Sequence, residues 1–493
     1  MNLIPTLENM TISIDSTVRD AIEAITNNSQ GVCFIVEGTL FRGLITDGDL
    51  RRAFLAGAEK QSLVKDFMKK DPLTLPITAS PVEIQQSLSS VIRHIPLIDS
   101  EGNLIDYVSE NHFHRIPLAE PLLSGNEIQY VNECLQTNWI SSRGRFVTEF
   151  ENMFSEFHQM PYAVAVSNGT VALSLALEAL GVGDGDEVIV PDLTFAASIN
   201  AIIHIGATPV IVDVNRETWT LDIELFEQAI TSKTKAVMPV HLYGHPTDII
   251  AIVAIAKKHH LFIIEDCAEA IGSKVNDQLV GSFGDANCFS FFGNKTITTG
   301  EGGMILFKDP DVAKKARILR DHGMSPERRY WHEVVGYNYR MTNIQAAIGV
   351  AQMERVEYFI NHKRELATKY FNELQNLEYV VLPPEASWAF NTYWLYTILL
   401  LPESGLKRDD LIRSMALNGI ETRGVFHPLH LMPIYEKYTG GKSFPNSRFI
   451  SEHGICLPSA STTSEKQVQK VAQVFKTTLD SLFLSNRVLK SEK

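Results

Sequence analysis

The stretch Ser290-Phe-Phe-Gly-Asn-Lys-Thr-Ile-Thr-Thr-Gly-Glu-Gly-Gly303 follows the apolar run Cys288 to Phe292 and is itself polar and rich in glycine. Lys295 lies at its centre. A lysine held between a strand end and a tight glycine turn is poorly placed for a solvated surface role. It is well placed to lose water, which lowers its pKa and makes the amine a nucleophile able to form a Schiff base. Taken alone, an ordinary loop lysine is the better reading of the stretch, so the segments around it decide.

Working outward, short apolar runs rich in β-branched residues recur at Tyr162 to Val166, Glu187 to Val190, Pro209 to Val214, Ala236 to Val240 and Leu261 to Ile264. Helical stretches such as Val171 to Leu180 and Ile249 to His259 lie between them. The alternation predicts an α/β domain with a largely parallel sheet covered on both faces, whose ligands gather at the carboxyl ends of the strands. Ser167-Asn-Gly-Thr170 follows one such strand and opens a helix. Free N–H groups at Asn168, Gly169 and Thr170 form a phosphate cradle, or else a plain capped turn. Asp266 ends the run Leu261-Phe-Ile-Ile-Glu-Asp266. A buried carboxylate there needs a partner, which a pyridinium N–H would supply, or it caps the next helix. Glu269 lies three positions on. Phe195 is either a stacking face for a flat cofactor or core. Gly336-Tyr-Asn-Tyr-Arg-Met-Thr-Asn343 runs into an Ala-rich helix, a sign of close packing with a subunit interface as one reading. Together these segments supply a phosphate cradle, a ring stack, a pyridinium partner and a Schiff-base lysine, the parts of a pyridoxal phosphate site.

The chain has 493 residues, enough for two or three domains. A formal net charge of −14 argues against nucleic acid as a partner. Five scattered cysteines without a CxxC pair suggest neither a disulfide framework nor a zinc site, and no metal is expected. With no signal-like start and no apolar run of bilayer length, a cytoplasmic protein without membrane contact is expected. The first 112 residues carry an internal repeat. A strand entering a helix (Thr11 to Ile25), a strand pair (Gly31 to Val36, Leu40 to Ile45) and a helix start at Thr46 recur from Leu73 onward. Ser109 matches Thr46 at an offset of 63 residues. The repeat resembles a pair of CBS domains. The resemblance implies an adenine nucleotide at Thr46 and Asp49, with Gly43 completing the motif, unless the module is purely structural. The second copy has Asp106 and His112 at the glycine and aspartate positions and keeps only Ser109.

From Ile116 to about Phe483 the chain resembles the DegT/DnrJ/EryC1/StrS sugar-nucleotide aminotransferases. Ile116-Pro-Leu-Ala-Glu-Pro121, Trp139-Ile-Ser-Ser142, His241-Leu-Tyr-Gly244, Ser290 to Gly303 and Gly336 to Asn343 carry the likeness. Asp321-His-Gly-Met324, Arg329-Tyr-Trp-His332 and Arg423 through His430 resemble the GDP-perosamine synthases within it. The resemblance implies an α/β, aspartate aminotransferase-like (type I) fold with a PLP-binding large domain over 116–360 and a small domain over 361–493, preceded by the CBS pair at 1–112. It implies that Lys295 forms the Schiff base with pyridoxal phosphate and later moves protons. Asp266 then pairs with the pyridine nitrogen, Glu269 lies near the phenolic oxygen and Phe195 stacks on the ring. Asn168, Gly169, Thr170 and Ser290 hold the phosphate, aided by Asn338 across a homodimer with shared active sites (a tetramer is the alternative). Relatives that dehydrate sugars carry histidine in place of the lysine, so Lys295 favours transamination. L-glutamate would donate to a nucleotide-linked keto sugar, GDP-4-keto-6-deoxymannose first and other UDP- or dTDP-linked keto sugars second, for surface polysaccharide (O-antigen). A non-catalytic nucleotide sensor is the reading from another class. Trp139, Tyr330, His332, Arg423 and His430 are the candidate substrate contacts.

Overall fold

The computed structural model describes residues 7–77, 79, 83–84, 87–89, 91–109 and 116–491. The chain divides into two compact units, Met1–Arg115 and Ile116–Lys493.

The first unit shows the repeat directly. Strands β1 (Thr11–Ser13), β2 (Val32–Glu37) and β3 (Leu40–Thr46) form one three-stranded sheet, and β4 (Leu75–Pro76), β5 (His94–Ile98) and β6 (Leu104–Ser109) form another. In each the first pair is parallel and the second antiparallel. Both hairpins break register at matching places, between Ile35 and Val36 and between Leu97 and Ile98. Helix Val18–Asn28 separates β1 from β2. Part of the segment expected to hold its counterpart, Leu73 to Leu88, lies outside the described residues, as does His112. The copies meet turn to turn, where Leu104 N–H donates to the Thr39 carbonyl at 2.9 Å, and they share a core of Val32, Phe34, Leu44, Leu104 and Tyr107.

The second unit is built on seven strands. These are β7 (Tyr162–Val166), β8 (Glu187–Pro191), β9 (Thr208–Val212), β10 (Thr234–Val237) and β11 (Phe262–Asp266), then, after the short hairpin β12 (Lys274–Val275) and β13 (Gln278–Leu279), β14 (Ala286–Ser290) and β15 (Gly303–Phe307). Their order is β7-β15-β14-β11-β10-β8-β9. Only β15 runs against the rest, antiparallel to both β14 and β7. Side chains alternate between two cores. Ala163, Ala165, Ile189, Val237, Ile263 and Phe289 face one, and Val164, Val166, Val190, Ala236, Ile264 and Cys288 face the other. Burial on both faces explains why these strands read as near-continuous apolar runs rather than polar–apolar alternation. Two observed strands end short of the sequence reading. β9 stops at Val212, before Asp213 binds the backbone of Asn446 and Ser447, and β10 stops at Val237, ahead of Pro239.

A second layer of four strands, in the order β16 (Val380–Val381), β18 (Tyr396–Leu400), β20 (Gly454–Leu457), β19 (Arg423–Gly424), packs its own core with helices Arg408–Leu417 and Glu465–Ser491. In chain order β17 (Ala389–Phe390) lies between β16 and β18, and it pairs with β12. The expected division at 360/361 falls inside the continuous helix Val356–Leu374. Its first half (Val356, Phe359, Ile360) packs in the large-sheet core, and its second (Leu366, Ala367, Tyr370, Leu374) in the small one. No helix among the described residues is long and apolar enough to cross a membrane, and all five cysteines are buried and free.

Candidate active site

The parallel strands β7, β8, β11 and β14 deliver their carboxyl ends to one edge of the sheet, and the expected residues follow them there. After β14 the backbone folds back on itself. Phe291 N–H donates to the Gly302 carbonyl and Thr299 N–H to the Phe291 carbonyl, both at 2.9 Å. Gly300 sits at φ +79° in that turn, where a side chain would be strained. This knot presents Lys295 inward. Its Nζ lies 3.6 Å from Glu269 Oε1 and 3.8 Å from the centre of the Trp394 ring. Burial lowers the pKa of the amine, with Glu269 and Asp266 opposing the fall.

Asp266 is buried at the end of β11. Its Oδ2 accepts from Ser198 Oγ at 2.8 Å and its Oδ1 from Ala268 N–H at 3.2 Å. Both donors are neutral, and burial pushes its carboxyl pKa up. A cation beside it would return the charge to the carboxylate, and a protonated ring nitrogen is such a cation. Glu269 Oε2 accepts from Tyr243 N–H at 2.9 Å, and burial raises its carboxyl to about 7.

Asn168 caps helix Gly169–Ala179, its Oδ1 accepting from Val171 N–H at 3.0 Å. Capping leaves the first-turn N–H groups of Gly169 and Thr170 without a hydrogen-bond partner among the described residues, facing the end of β14. A Cβ built on Gly169 would lie 2.8 Å from Ser290 Cβ, so only glycine permits the approach. Free N–H groups, a helix N-terminus and the Ser290 hydroxyl form a cradle that fits a phosphate. Phe195, the residue before helix Ala196–His204, is 60% exposed, with its ring 5.9 Å from Phe426. The same helix start supplies Ser198 to Asp266. The carbonyl of Tyr339 accepts from Ser167 N–H at 2.8 Å, and Asn338 Oδ1 accepts from Arg340. The residues present therefore fit pyridoxal phosphate at both its phosphate and its ring nitrogen.

Among the described residues, none of the candidate substrate contacts hydrogen-bonds or ion-pairs with Lys295, Asp266 or Glu269. His430 Nδ1 is held by Asp192 Oδ2 at 2.6 Å. Arg423 pairs with Glu421 at 3.1 Å. His332 Nδ1 bonds the His322 carbonyl at 2.9 Å. Trp139 and Tyr330 are exposed. Three residues absent from the sequence reading belong to the site: Trp394, Tyr243 and Ser198. Only Tyr243 lay in a quoted motif, and nothing local marks the other two.

The structure also brings His241, Glu265 and Cys267 together, with ligating atoms within 4.8 Å of one another. Their lone pairs are already engaged. His241 Nδ1 accepts from Thr247 N–H at 3.0 Å, so its Nε2–H donates to Glu265 Oε2 at 3.0 Å. Glu265 also takes the N–H groups of Gly281, Phe283 and Gly284. Burial pushes the Cys267 thiol far above its ordinary range, away from the thiolate a metal needs. The cluster is a buttress behind Asp266, whose carbonyl accepts from His241 N–H at 3.1 Å.

In the N-terminal unit Thr46 and Asp49 form a reciprocal capping box. Thr46 Oγ1 donates to Asp49 Oδ2 at 2.7 Å, and Asp49 N–H donates to Thr46 Oγ1 at 3.2 Å. Asp49 also pairs with Arg52. A Cβ on Gly43 would lie 2.4 Å from the Lys69 carbonyl. All three motif residues thus have structural duties.

Residues 121–476 match the model of the DegT/DnrJ/EryC1/StrS aminotransferase family, and residues 4–56 and 64–117 match that of the CBS domain. The chain is 51% identical over 354 residues to a GDP-perosamine synthase of Escherichia coli O157:H7, covering 72% of this chain and 95% of that protein. It is 46% identical over 361 residues to the GDP-perosamine synthase of Vibrio cholerae, covering 73% and 98%. A putative sugar aminotransferase from Streptococcus pneumoniae superposes with a TM-score of 0.71 at 29% identity, over 76% of this chain and all of that one. DesV from S. venezuelae gives 0.68 at 32%, over 72% and 94%. Strand order, a lysine between the last two strands and a carboxylate placed for a ring nitrogen agree with these matches: the chain belongs to the DegT/DnrJ/EryC1/StrS aminotransferase family, pyridoxal phosphate-dependent enzymes, and carries a CBS domain pair ahead of the catalytic unit.

Proposed function

We propose that the protein moves the amino group of L-glutamate to C4 of GDP-4-keto-6-deoxymannose, forming GDP-perosamine for a surface polysaccharide such as O-antigen. The observation that carries this reading is 46–51% identity to GDP-perosamine synthases over at least 95% of their length, with Lys295 and Asp266 in place. Bound pyridoxal phosphate supplies the electron sink and the carrier for the amino group. Asp266 keeps the ring nitrogen protonated, and Phe195 covers one face of the ring. Gly169 and Thr170 N–H, Asn168 and Ser290 hold the phosphate, with Asn338 of the partner subunit completing the site in a homodimer. Lys295 Nζ, within 3.6 Å of Glu269, is the group that takes the α-proton from glutamate and returns a proton at C4 of the sugar. Burial favours the neutral amine that this role needs. Arg423, His430, His332, Tyr330 and Trp139 contact the sugar nucleotide, an arginine being suited to a diphosphate. The CBS pair binds an adenine nucleotide at Thr46 and Asp49 and tunes the rate from the cytoplasm.

The test is mass spectrometry of the product after the cofactor-loaded protein meets L-glutamate and GDP-4-keto-6-deoxymannose. A GDP-linked 4-amino-4,6-dideoxy sugar supports the reading. Glutamate converted to 2-oxoglutarate without that product refutes the substrate and turns attention to UDP- and dTDP-linked keto sugars.

A further inference from the structure

Trp394 lies between β17 and β18, far in sequence from Lys295, yet its ring is the nearest aromatic face to the catalytic amine. Nζ lies 3.8 Å from the ring centre. Three restraints fix the indole there. Its Nε1–H donates to the carbonyl of Asn294, the residue before Lys295, at 2.8 Å. Tyr243 stacks on it with an interplanar angle of 14°. The buried Lys363 donates to its backbone carbonyl at 3.0 Å and to that of Ser459 at 2.6 Å. Trp394 is 3% exposed, so water competes little for the amine on that side. On the other sides the charged or titratable groups are Glu269 (at 3.6 Å) and Asp266, with the Tyr243 phenol behind the indole.

An indole face carries the negative end of the ring quadrupole and attracts an ammonium, more strongly when the pair is shielded from water. It gives little to a neutral amine. We propose that Trp394 is a positioning residue for Lys295. Once the free amine has taken up a proton, the indole face and Glu269 grip it as an ammonium, holding the proton that Lys295 must deliver. The inference rests on the aminotransferase reading, because only there does Lys295 alternate between a bonded and a free state. It adds a reason for the ring's three restraints: a face that drifted would release the proton carrier from the site.

The test replaces Trp394 with mono-, di- and trifluorinated tryptophan, which keep the shape of the ring and progressively drain its face of negative charge. The full chain is loaded with pyridoxamine phosphate, which leaves the Lys295 amine free. Its reactivity towards trace acetic anhydride is followed against pH by peptide mass spectrometry. The midpoint is expected to fall stepwise with fluorine number, by about one pH unit across the series, while the circular dichroism spectrum stays unchanged. Coincident midpoints in all four proteins would overturn the proposal. No sugar substrate enters the assay. Failure to form the GDP-linked product therefore leaves it standing, whereas coincident midpoints in a protein that does form that product sink this inference alone.

Discussion

Lys363 offers the strongest quantitative test of how the two halves of the catalytic unit are joined. Its side chain is buried in helix Val356–Leu374 at the point where the helix passes from one core to the other. Nζ donates to two carbonyls, those of Trp394 and Ser459, and to no carboxylate. A neutral amine has two N–H groups, the number these carbonyls accept. An ammonium has three and a charge that nothing nearby offsets. Burial accordingly pushes the pKa of Lys363 down to about 7, from an ordinary 10.5. The unfolded chain holds its proton up to that ordinary value. Between the two pH values the unfolded state binds one proton more than the folded state, so the contribution of Lys363 to stability rises with pH. It is at its lowest and flat below pH 7, climbs by about 1.4 kcal/mol per pH unit, and reaches a total of about 5 kcal/mol near pH 10.5.

The perturbation is Lys363→Met, which keeps the stem and removes the amine. All five tryptophans, Trp139, Trp219, Trp331, Trp388 and Trp394, lie in the second compact unit, so their fluorescence follows its unfolding alone. Urea unfolding of wild type and variant at pH steps from 6 to 10 gives a stability difference in which the other titrations cancel. That difference should be level to pH 7 and then move towards wild type by about 4 kcal/mol over three pH units. At pH 6 the variant loses two hydrogen bonds but also the buried charge, so the offset there is not diagnostic and the slope is. A difference that stays level to pH 10 would refute the reasoning and mean that the two carbonyls solvate a permanent ammonium.

Three further outcomes are expected. Lys295→Ala should abolish both the visible absorbance of the cofactor-loaded protein and transamination while leaving the unfolding midpoint close to wild type; retained turnover would remove Lys295 from its role. Glu269→Gln should cancel a pH dependence: with its carboxyl at about 7 rather than 4.5, Glu269 contributes about 3 kcal/mol at low pH that is lost as pH rises from about 4.5 to 7, and urea unfolding of wild type and variant across that range should show the gap closing. Thr46→Ala breaks the capping box of helix Asp47–Leu55 and should lower the melting temperature of the N-terminal unit, the loss being about 1 kcal/mol, as read by calorimetry; if ATP raises that temperature equally in wild type and in Asp49→Asn, the nucleotide does not use Asp49.

The fold was legible because its signals are local. β7 and helix Ile249–His259 fall on the residues that pattern alone assigns them. A buried parallel strand must be apolar on both faces, and that leaves a continuous run to read. The same holds for Lys295, Asp266 and the Ser167–Thr170 turn, each of which follows its strand within a few residues. What pattern could not show was partnership. Ser198 reaches Asp266 across 68 positions, and Trp394 meets Asn294 across 100. Neither residue type is unusual where it stands. His332 and His430 carry a partner the pattern could not show: the Nδ1 of each is engaged, by the His322 carbonyl and by Asp192.

Those long-range partners share a direction. Asp266 is backed by His241 and Glu265, Glu269 is held by Tyr243 N–H, Tyr243 stacks on Trp394, and Trp394 hangs from Lys363. Apart from the Lys295–Glu269 pair, whose carboxyl itself titrates near neutrality, each group that carries charge at the site is thus oriented by a neutral donor or an aromatic face. A permanent counter-ion would lock Lys295 as an ammonium. The neutral indole face and a carboxyl that can itself be protonated leave both states of Lys295 accessible, which a residue that gives and takes one proton in each half of a transamination requires. On this account, placing an arginine beside Glu269, for example by Tyr243→Arg, should harm turnover more than removing Glu269 itself, because it would fix a charge where the reaction needs one to move.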